Sequence, residues 1–243
     1  MISHIIMTTS FLAVRIVGAF MSIGLLFSSC QNEDAEPDEQ EIAVAAFEGL
    51  EVRAGSTIEL TEGPTQKIEL RGGSGDWGDK LRKDVNNGIW RVEFDGNVPD
   101  QDRLTIHVTM PRLRRLVHTG PGTVRGLTSF TYPTLHVENT GSGSVVLGTL
   151  SPDVLVEVKG SGPVELTGTA ASQVVHVTGS GSYRGFGLAT AHTDATVSGS
   201  GNADVWATST LRATAPGSGN VRYKGRPVIT ASTPGQGRVI DSN

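Results

Sequence analysis

Acidic residues and scattered histidines are the groups of this chain whose types could support chemistry. Glu138 with Glu157, or Asp153, Asp194 and Asp204, could supply paired carboxylates for acid–base work or for a divalent cation. Cleavage of an acidic polysaccharide in this way needs the carboxylates clustered on one outer face, often with Ca2+ and a Lys or Arg base. His107, His118, His136, His176 and His192 could ligate a transition metal if several converged. Cys30 is the sole cysteine, so no disulfide framework is available. No Gly-x-Ser-x-Gly elbow, phosphate loop or cysteine nucleophile is present. Whether any of these groups meet depends on the elements that carry them.

Those elements are set by a repeated turn. Gly-x-Gly occurs at Gly120/Gly122, Gly141/Gly143, Gly160/Gly162, Gly179/Gly181, Gly199/Gly201, Gly217/Gly219 and Gly235/Gly237, at steps of 18–21 residues. A fixed period near 20 with strand patterns on both sides of each turn predicts a β-solenoid. Apolar residues alternate outward from the turns, as in Val156-Glu157-Val158-Lys159, which gives strands with one face in and one face out. The glycines are expected to supply positive φ and to let turns stack without Cβ clashes. Left-handed β-helices carry a six-residue apolar sub-period that is missing here. The sequence therefore predicts an all-β, right-handed parallel β-helix with a β-rich N-terminal cap.

One polar column predicts the stacking. Val146, Glu165, Arg184, Asp204 and Arg222 each lie three residues past a turn. One rung per repeat makes them an alternating acid–base ladder, whereas two repeats per rung would stack like charges. The same alignment sorts the chemical candidates. Asp153, Asp194 and Asp204 occupy three different repeat positions, and the histidines share no column. Glu138 and Glu157 do share a position and could stack as a divalent-cation pair, although a surface pair is the preferred reading. No catalytic residue, cofactor or metal site is therefore expected. Thr119, Thr140, Thr178 and Ser198 form a hydroxyl row before the turns. Trp206, Tyr183, Tyr223, Phe186 and Trp90 are candidate sugar-stacking rings, with interior packing or capping as the alternative for each.

Residues 1–29 read as a signal peptide, with Arg15 before an apolar core too short for a comfortable span. Phe27-Ser28-Ser29-Cys30 resembles a bacterial lipobox, which makes Cys30 the lipidated residue. Residues 30–43 form an acidic tether, in which Glu33, Asp34 and Glu36 resemble a surface-export signal. Residues 44–115 form an N-terminal β-rich capping part, and 116–243 the glycine-repeat β-helix. The first carries 12 acids and 11 bases, the second seven and eight, so neither suggests a nucleic-acid partner. The tether supplies most of the net charge of −5.

Phe47-Glu48-Gly49-Leu50-Glu51-Val52, the step Met110-Pro111-Arg112-Leu113-Arg114-Arg115-Leu116, the ordered Gly-Ser-Gly series and Gly217-Ser218-Gly219-Asn220-Val221-Arg222-Tyr223-Lys224-Gly225-Arg226-Pro227 together carry a resemblance. Over about residues 45–240 the chain resembles the auto-transporter adhesin, head GIN domain family of bacterial lipoproteins. The resemblance implies a β-superhelix akin to that of pectin lyases, with Gly-Ser-Gly at the tight turns between sheets, and a role in cell adhesion. The expected function is a non-catalytic outer-membrane lipoprotein, anchored at the cell surface, that binds glycan or protein through its β-helix faces. A structural or envelope-stress lipoprotein without ligand is the alternative, and a polysaccharide lyase or hydrolase the least favoured one. The sequence leaves the oligomeric state open.

Overall fold

Every Gly-x-Gly turn seats on the backbone of the rung before it, and that contact sets the architecture. The computed structural model describes residues 39–72, 77–96, 98–99 and 103–243. Down the stack, the amide of each second glycine from Gly143 onward donates to the carbonyl of the first glycine one repeat earlier. The pairs are Gly143 to Gly120, Gly162 to Gly141, Gly181 to Gly160, Gly201 to Gly179, Gly219 to Gly199 and Gly237 to Gly217, at 2.9–3.2 Å. One repeat is one rung.

The turn glycines correct the sequence reading in one respect. Positive φ is expected at Gly120, Gly122, Gly141, Gly143, Gly160, Gly162, Gly179, Gly181, Gly199, Gly201, Gly217, Gly219, Gly235 and Gly237, and it is found at none of them. Among the described glycines it is confined to Gly72, Gly88, Gly96, Gly168 and Gly225. Close approach alone demands glycine in the turns. A Cβ on Gly201 would fall onto the Gly181 carbonyl oxygen, and one on Gly219 onto that of Gly201. Gly122 differs from the later second glycines in what it rests on. The rung before it has no Gly-x-Gly, and a Cβ on Gly122 would instead meet the backbone of residues 54–56, falling onto the Ser56 carbonyl oxygen. The first turn is therefore glycine for the same steric reason as the rest, although its seat is a connection of the N-terminal part.

The strands, in chain order, are β1 (Glu39–Glu41), β2 (Gly49–Val52), β3 (Thr57–Glu62), β4 (Lys67–Arg71), β5 (Val85–Asn86), β6 (Ile89–Val92), β7 (Thr105–Met110), β8 (Arg115–His118) and β9 (Thr123–Phe130). There follow β10 (Thr134–Asn139), β11 (Ser144–Thr149), β12 (Asp153–Val158), β13 (Val164–Val177), β14 (Tyr183–Val197), β15 (Ala203–Thr214), β16 (Val221–Lys224), β17 (Val228–Ser232) and β18 (Val239–Asp241). They build two ladders. The strands that lead into the turns stack as β5-β6-β2-β8-β10-β12 and continue through the later halves of β13, β14 and β15 to β17. Those that leave the turns stack as β1-β4-β7-β3-β9-β11 and continue through the earlier halves of β13, β14 and β15 to β16 and β18. Pairing is parallel along the body. Among the named strands, antiparallel pairing is confined to β1 with β4, β4 with β7 and β5 with β6, at the N-terminal end.

Chain order and spatial order part company at that end. The rung built from β2 and β3 lies between the rung of β6 and β7 and that of β8 and β9. Asn87 and Gly88 both take positive φ, 52° and 71°, as a two-residue type I′ hairpin between β5 and β6 requires. Phe47 packs on Trp90 at 5.3 Å between ring centroids, and the Trp90 Nε1–H donates to the Arg82 carbonyl at 2.8 Å. Glu39–Glu41, at the end of the acidic run, form β1 against β4 rather than a free tether. Cys30, the signal segment and the tether up to residue 38 lie outside the described residues.

The interior is a set of registered apolar columns. Leu116, Val137, Val156, Val175, Ala195 and Ala213 stack in one ladder, and Val124, Val145, Val164, Tyr183, Ala203 and Val221 in the other, all at most 1% exposed. Burying each such Val contributes about 1.5–3 kcal/mol. Polar intrusions are few and mostly satisfied. The Tyr183 hydroxyl donates to Gln173 Oε1 at 2.9 Å, and the Gln173 amide donates to Thr190 and Thr193. Burial pushes the Tyr183 phenol far above its ordinary range. The Asn139 amide donates to the Gly143 carbonyl, and its Oδ1 accepts from the Gly141 amide. His118, in the same column as Asn139, is fully buried and completes no hydrogen bond at either ring nitrogen. Burial pushes it down to about 4, and Asn139 offsets only part of that shift.

Candidate functional site

Outward-facing residues of a parallel solenoid repeat every second position along a strand and every rung down the stack, so the register decides which groups meet. On the turn-entering ladder, Glu138 pairs in register with Glu157, as their shared repeat position implies. His136, two residues before Glu138 on the same face, joins them: its Nε2 lies 2.9 Å from Glu157 Oε2. The three groups offer ligand atoms within 4.8 Å of one another.

The surroundings of this cluster leave a cation little to bind. Arg115 Nη2 donates to Glu138 Oε2 at 2.8 Å, and Lys159 Nζ reaches Glu138 Oε1 at 2.8 Å and Glu157 Oε1 at 3.1 Å. Arg115 Nη1 also contacts His136 Nδ1. A guanidinium can only donate, so Nδ1 accepts and the proton sits on Nε2, donated to Glu157. Both ring nitrogens are thereby engaged, and two carboxylates face two fixed cations. Burial pushes the Glu157 carboxyl up, but the His136 hydrogen bond and Lys159 outweigh it and hold the group below its ordinary range. Lys159 is raised, chiefly by its bond to Glu138. The cluster is a closed ion-pair network.

On the turn-leaving ladder the predicted acid–base column is in register, with Val146 beside Glu165, Glu165 beside Arg184, Arg184 beside Asp204 and Asp204 beside Arg222. Only its last pair closes. Arg222 donates two bonds to the nearly buried Asp204 carboxylate, at 2.6 and 2.9 Å. Of the candidate stacking rings, Trp90 and Tyr183 are interior. Lys224 lies over the Phe186 ring at 4.7 Å. Trp206 is the most open of the five, at 38% exposed. Thr119, Thr140, Thr178 and Ser198 all face solvent.

Further down the turn-entering ladder the outer face changes character. A trough of about 530 Å3 lies across β13, β14, β15 and β17. Its registered rows are Ser172, His192, Thr210 and Val228, then Val174, Asp194, Arg212 and Thr230. His192 Nδ1 meets Thr210 Oγ1 at 2.9 Å, and Ser172 Oγ donates to Asp153 Oδ1 at 2.5 Å. Asp194 and Arg212 stand side by side, yet neither side chain has a bonded partner among the described residues.

Two features escape a column-by-column reading of the sequence. His136 and Arg115 share no column with Glu138, but the spacing His-x-Glu places His136 on the Glu138 face, diagonal to Glu157. The trough depends on which charged groups lack partners, and residue types do not reveal that.

The family model described as "Putative auto-transporter adhesin, head GIN domain" matches residues 46–227. The chain belongs to this family. Several crystal structures share the fold, among them the following three. A putative adhesin from Bacteroides fragilis superposes with a TM-score of 0.77 at 23% identity, covering 86% of this chain and 98% of its own. A putative adhesin from Parabacteroides distasonis gives 0.68 at 20%, with the same coverage. A second Parabacteroides distasonis protein, described as a putative lipid binding protein, gives 0.62 at 19%, again covering 86% and 98%. No curated protein matches the sequence.

Proposed function

We propose that this protein is a non-catalytic envelope adhesin, held at the outer membrane through a lipidated Cys30 and facing the cell exterior, whose solenoid faces bind a glycan or a protein. The observation that carries this reading is membership of the adhesin family across residues 46–227. The geometry agrees with it. A rigid stack of rungs presents registered columns of side chains, which suits repeated contacts with an extended partner. The candidate carboxylates do not assemble as an acid–base pair: Glu138 and Glu157 are tied up by Arg115 and Lys159, and Asp153, Asp194 and Asp204 lie in different columns. The acidic residues Glu33, Asp34 and Glu36 behind Cys30 are read as the export signal.

Protease shaving of intact cells tests the placement, with the wild type compared against a variant in which Glu33, Asp34 and Glu36 are neutralised. Loss of the wild type with protection of the variant is expected. Protection of both would place the solenoid on the periplasmic side, and a structural lipoprotein without ligand becomes the better reading. Attachment of cells with and without the protein to glycan- and protein-coated surfaces tests adhesion itself, and equal attachment would overturn it.

A further inference from the structure

We propose that the trough across β13, β14, β15 and β17 is a glycan-binding site, with Asp194 and Arg212 as its central pair of hydrogen-bonding groups. This deepens the adhesive reading and rests on it, by choosing the face and the ligand class.

The decisive observation is two adjacent charges with unspent bonding capacity inside a concavity. Among the described residues, Glu165 and Arg184 on the other ladder are also in register and unbonded, but they line no such trough. Asp194 and Arg212 are in register on neighbouring strands, so their backbones lie about 4.8 Å apart. Opposite charges so placed can pair directly, as Asp204 and Arg222 do on the other ladder with two bonds. Here neither is bonded within the described residues. A carboxylate only accepts hydrogen bonds and a guanidinium only donates them. A partner that satisfies both must offer donors and acceptors at one-rung separation. A sugar does so, because each hydroxyl both donates and accepts.

The remainder of the trough fits the same ligand. His192 spends only Nδ1, on Thr210, which leaves Nε2 for the partner. Val174 and Val228 supply small apolar surface for the C–H face of a ring. Four strands span about 14 Å along the axis, room for a few linked sugars. The volume lies in the usual range for ligand sites. No aromatic ring lines this trough, so the Trp and Tyr anchors common at the centre of tight protein interfaces are missing from it.

The test uses the full-length lipoprotein in detergent, applied to immobilised gluco-, manno-, galacto- and xylo-oligosaccharides and to immobilised gelatin. Asp194→Ala and Arg212→Ala are compared with wild type and with Glu138→Gln, which lies on the same ladder outside the trough. Retention of the wild type on at least one glycan, weakened tenfold or more by either trough variant and unchanged by Glu138→Gln, supports the proposal. Unchanged melting temperatures must accompany the loss, so that unfolding is separated from loss of contact. Glycan binding that all variants share overturns the trough assignment while adhesion stands. Capture on gelatin alone overturns the glycan class and also leaves adhesion standing. Binding to no surface, with no attachment of expressing cells, overturns both readings.

Discussion

The outer face of the turn-entering ladder carries two unlike surfaces on one backbone. From β8 to β12, Arg115, His136, Glu138, Glu157 and Lys159 are joined into a single network. From β13 to β17, Asp194 and Arg212 occupy equivalent outward positions and are bonded to nothing described. Rung spacing and strand direction are common to both, so the fold does not impose pairing. Side-chain placement decides whether a face spends its bonding capacity internally or keeps it for a partner. The upper surface contributes modestly to stability, since partly exposed ion pairs are worth little each. The lower one gives up that contribution and gains binding capacity.

The strongest way to break this comparison is to show that the halves differ in the turns, where they should be alike. Gly143→Ala and Gly201→Ala each drive a Cβ into the preceding turn's backbone. Each should cost about 3 kcal/mol or more in urea unfolding, because backbone has little room to yield. A wild-type midpoint for either variant would mean that its half is not held by stacked turns.

The interior gives the next effect, and it belongs to the upper half. His118 titrates near 6.5 when unfolded and at about 4 when folded, because burial disfavours its charged form. Below pH 6.5 the unfolded chain binds a proton that the folded chain refuses. Stability is therefore complete above that pH and falls as pH drops toward 4, by up to about 3 kcal/mol. Replacing the residue, His118→Leu, should remove this slope, so the variant gains on wild type steadily between pH 6.5 and 4. Parallel stability curves for the two proteins would refute the assignment.

Smaller effects sharpen the comparison of the outer surfaces. Glu138→Gln weakens bonds to both Arg115 and Lys159 and should cost about 1 kcal/mol by thermal unfolding. Asp194→Ala removes a charge with no described partner and should stay within about 0.5 kcal/mol of wild type. Equal losses at the two sites would erase the distinction between a closed and an open surface.

Much of this was legible in the sequence. The glycine ruler fixes one rung per repeat, and the order Val146, Glu165, Arg184, Asp204, Arg222 anticipates the observed register. The alternation around each turn identifies the inward columns down to Val124, Val145 and Val164. Other features were not legible. The reason for the turn glycines is closeness between rungs rather than positive φ, and a dipeptide pattern cannot separate the two. That Gly122 rests on residues 54–56 follows from a rung pairing across some 65 residues of chain, which no local repeat announces. Trp90 and Tyr183 are interior because Phe47, Gln173 and the neighbouring rungs enclose them, and that depends on long-range packing. Asp204 closes onto Arg222 while Glu165 and Arg184 do not close, although their spacing is the same. Rotamers and local burial decide that, and residue types do not record them.

The placement of β2 and β3 between two later rungs has a consequence for biosynthesis. Solenoids whose repeats contact only sequence neighbours can add rungs one after another in chain order. In this chain the first rung to emerge has both of its neighbours downstream, in residues 89–110 and 115–130. It must wait for them and then be enclosed from both sides. The N-terminal end is thus expected to close as one cooperative unit, while each repeat beyond it pairs with its neighbours in sequence.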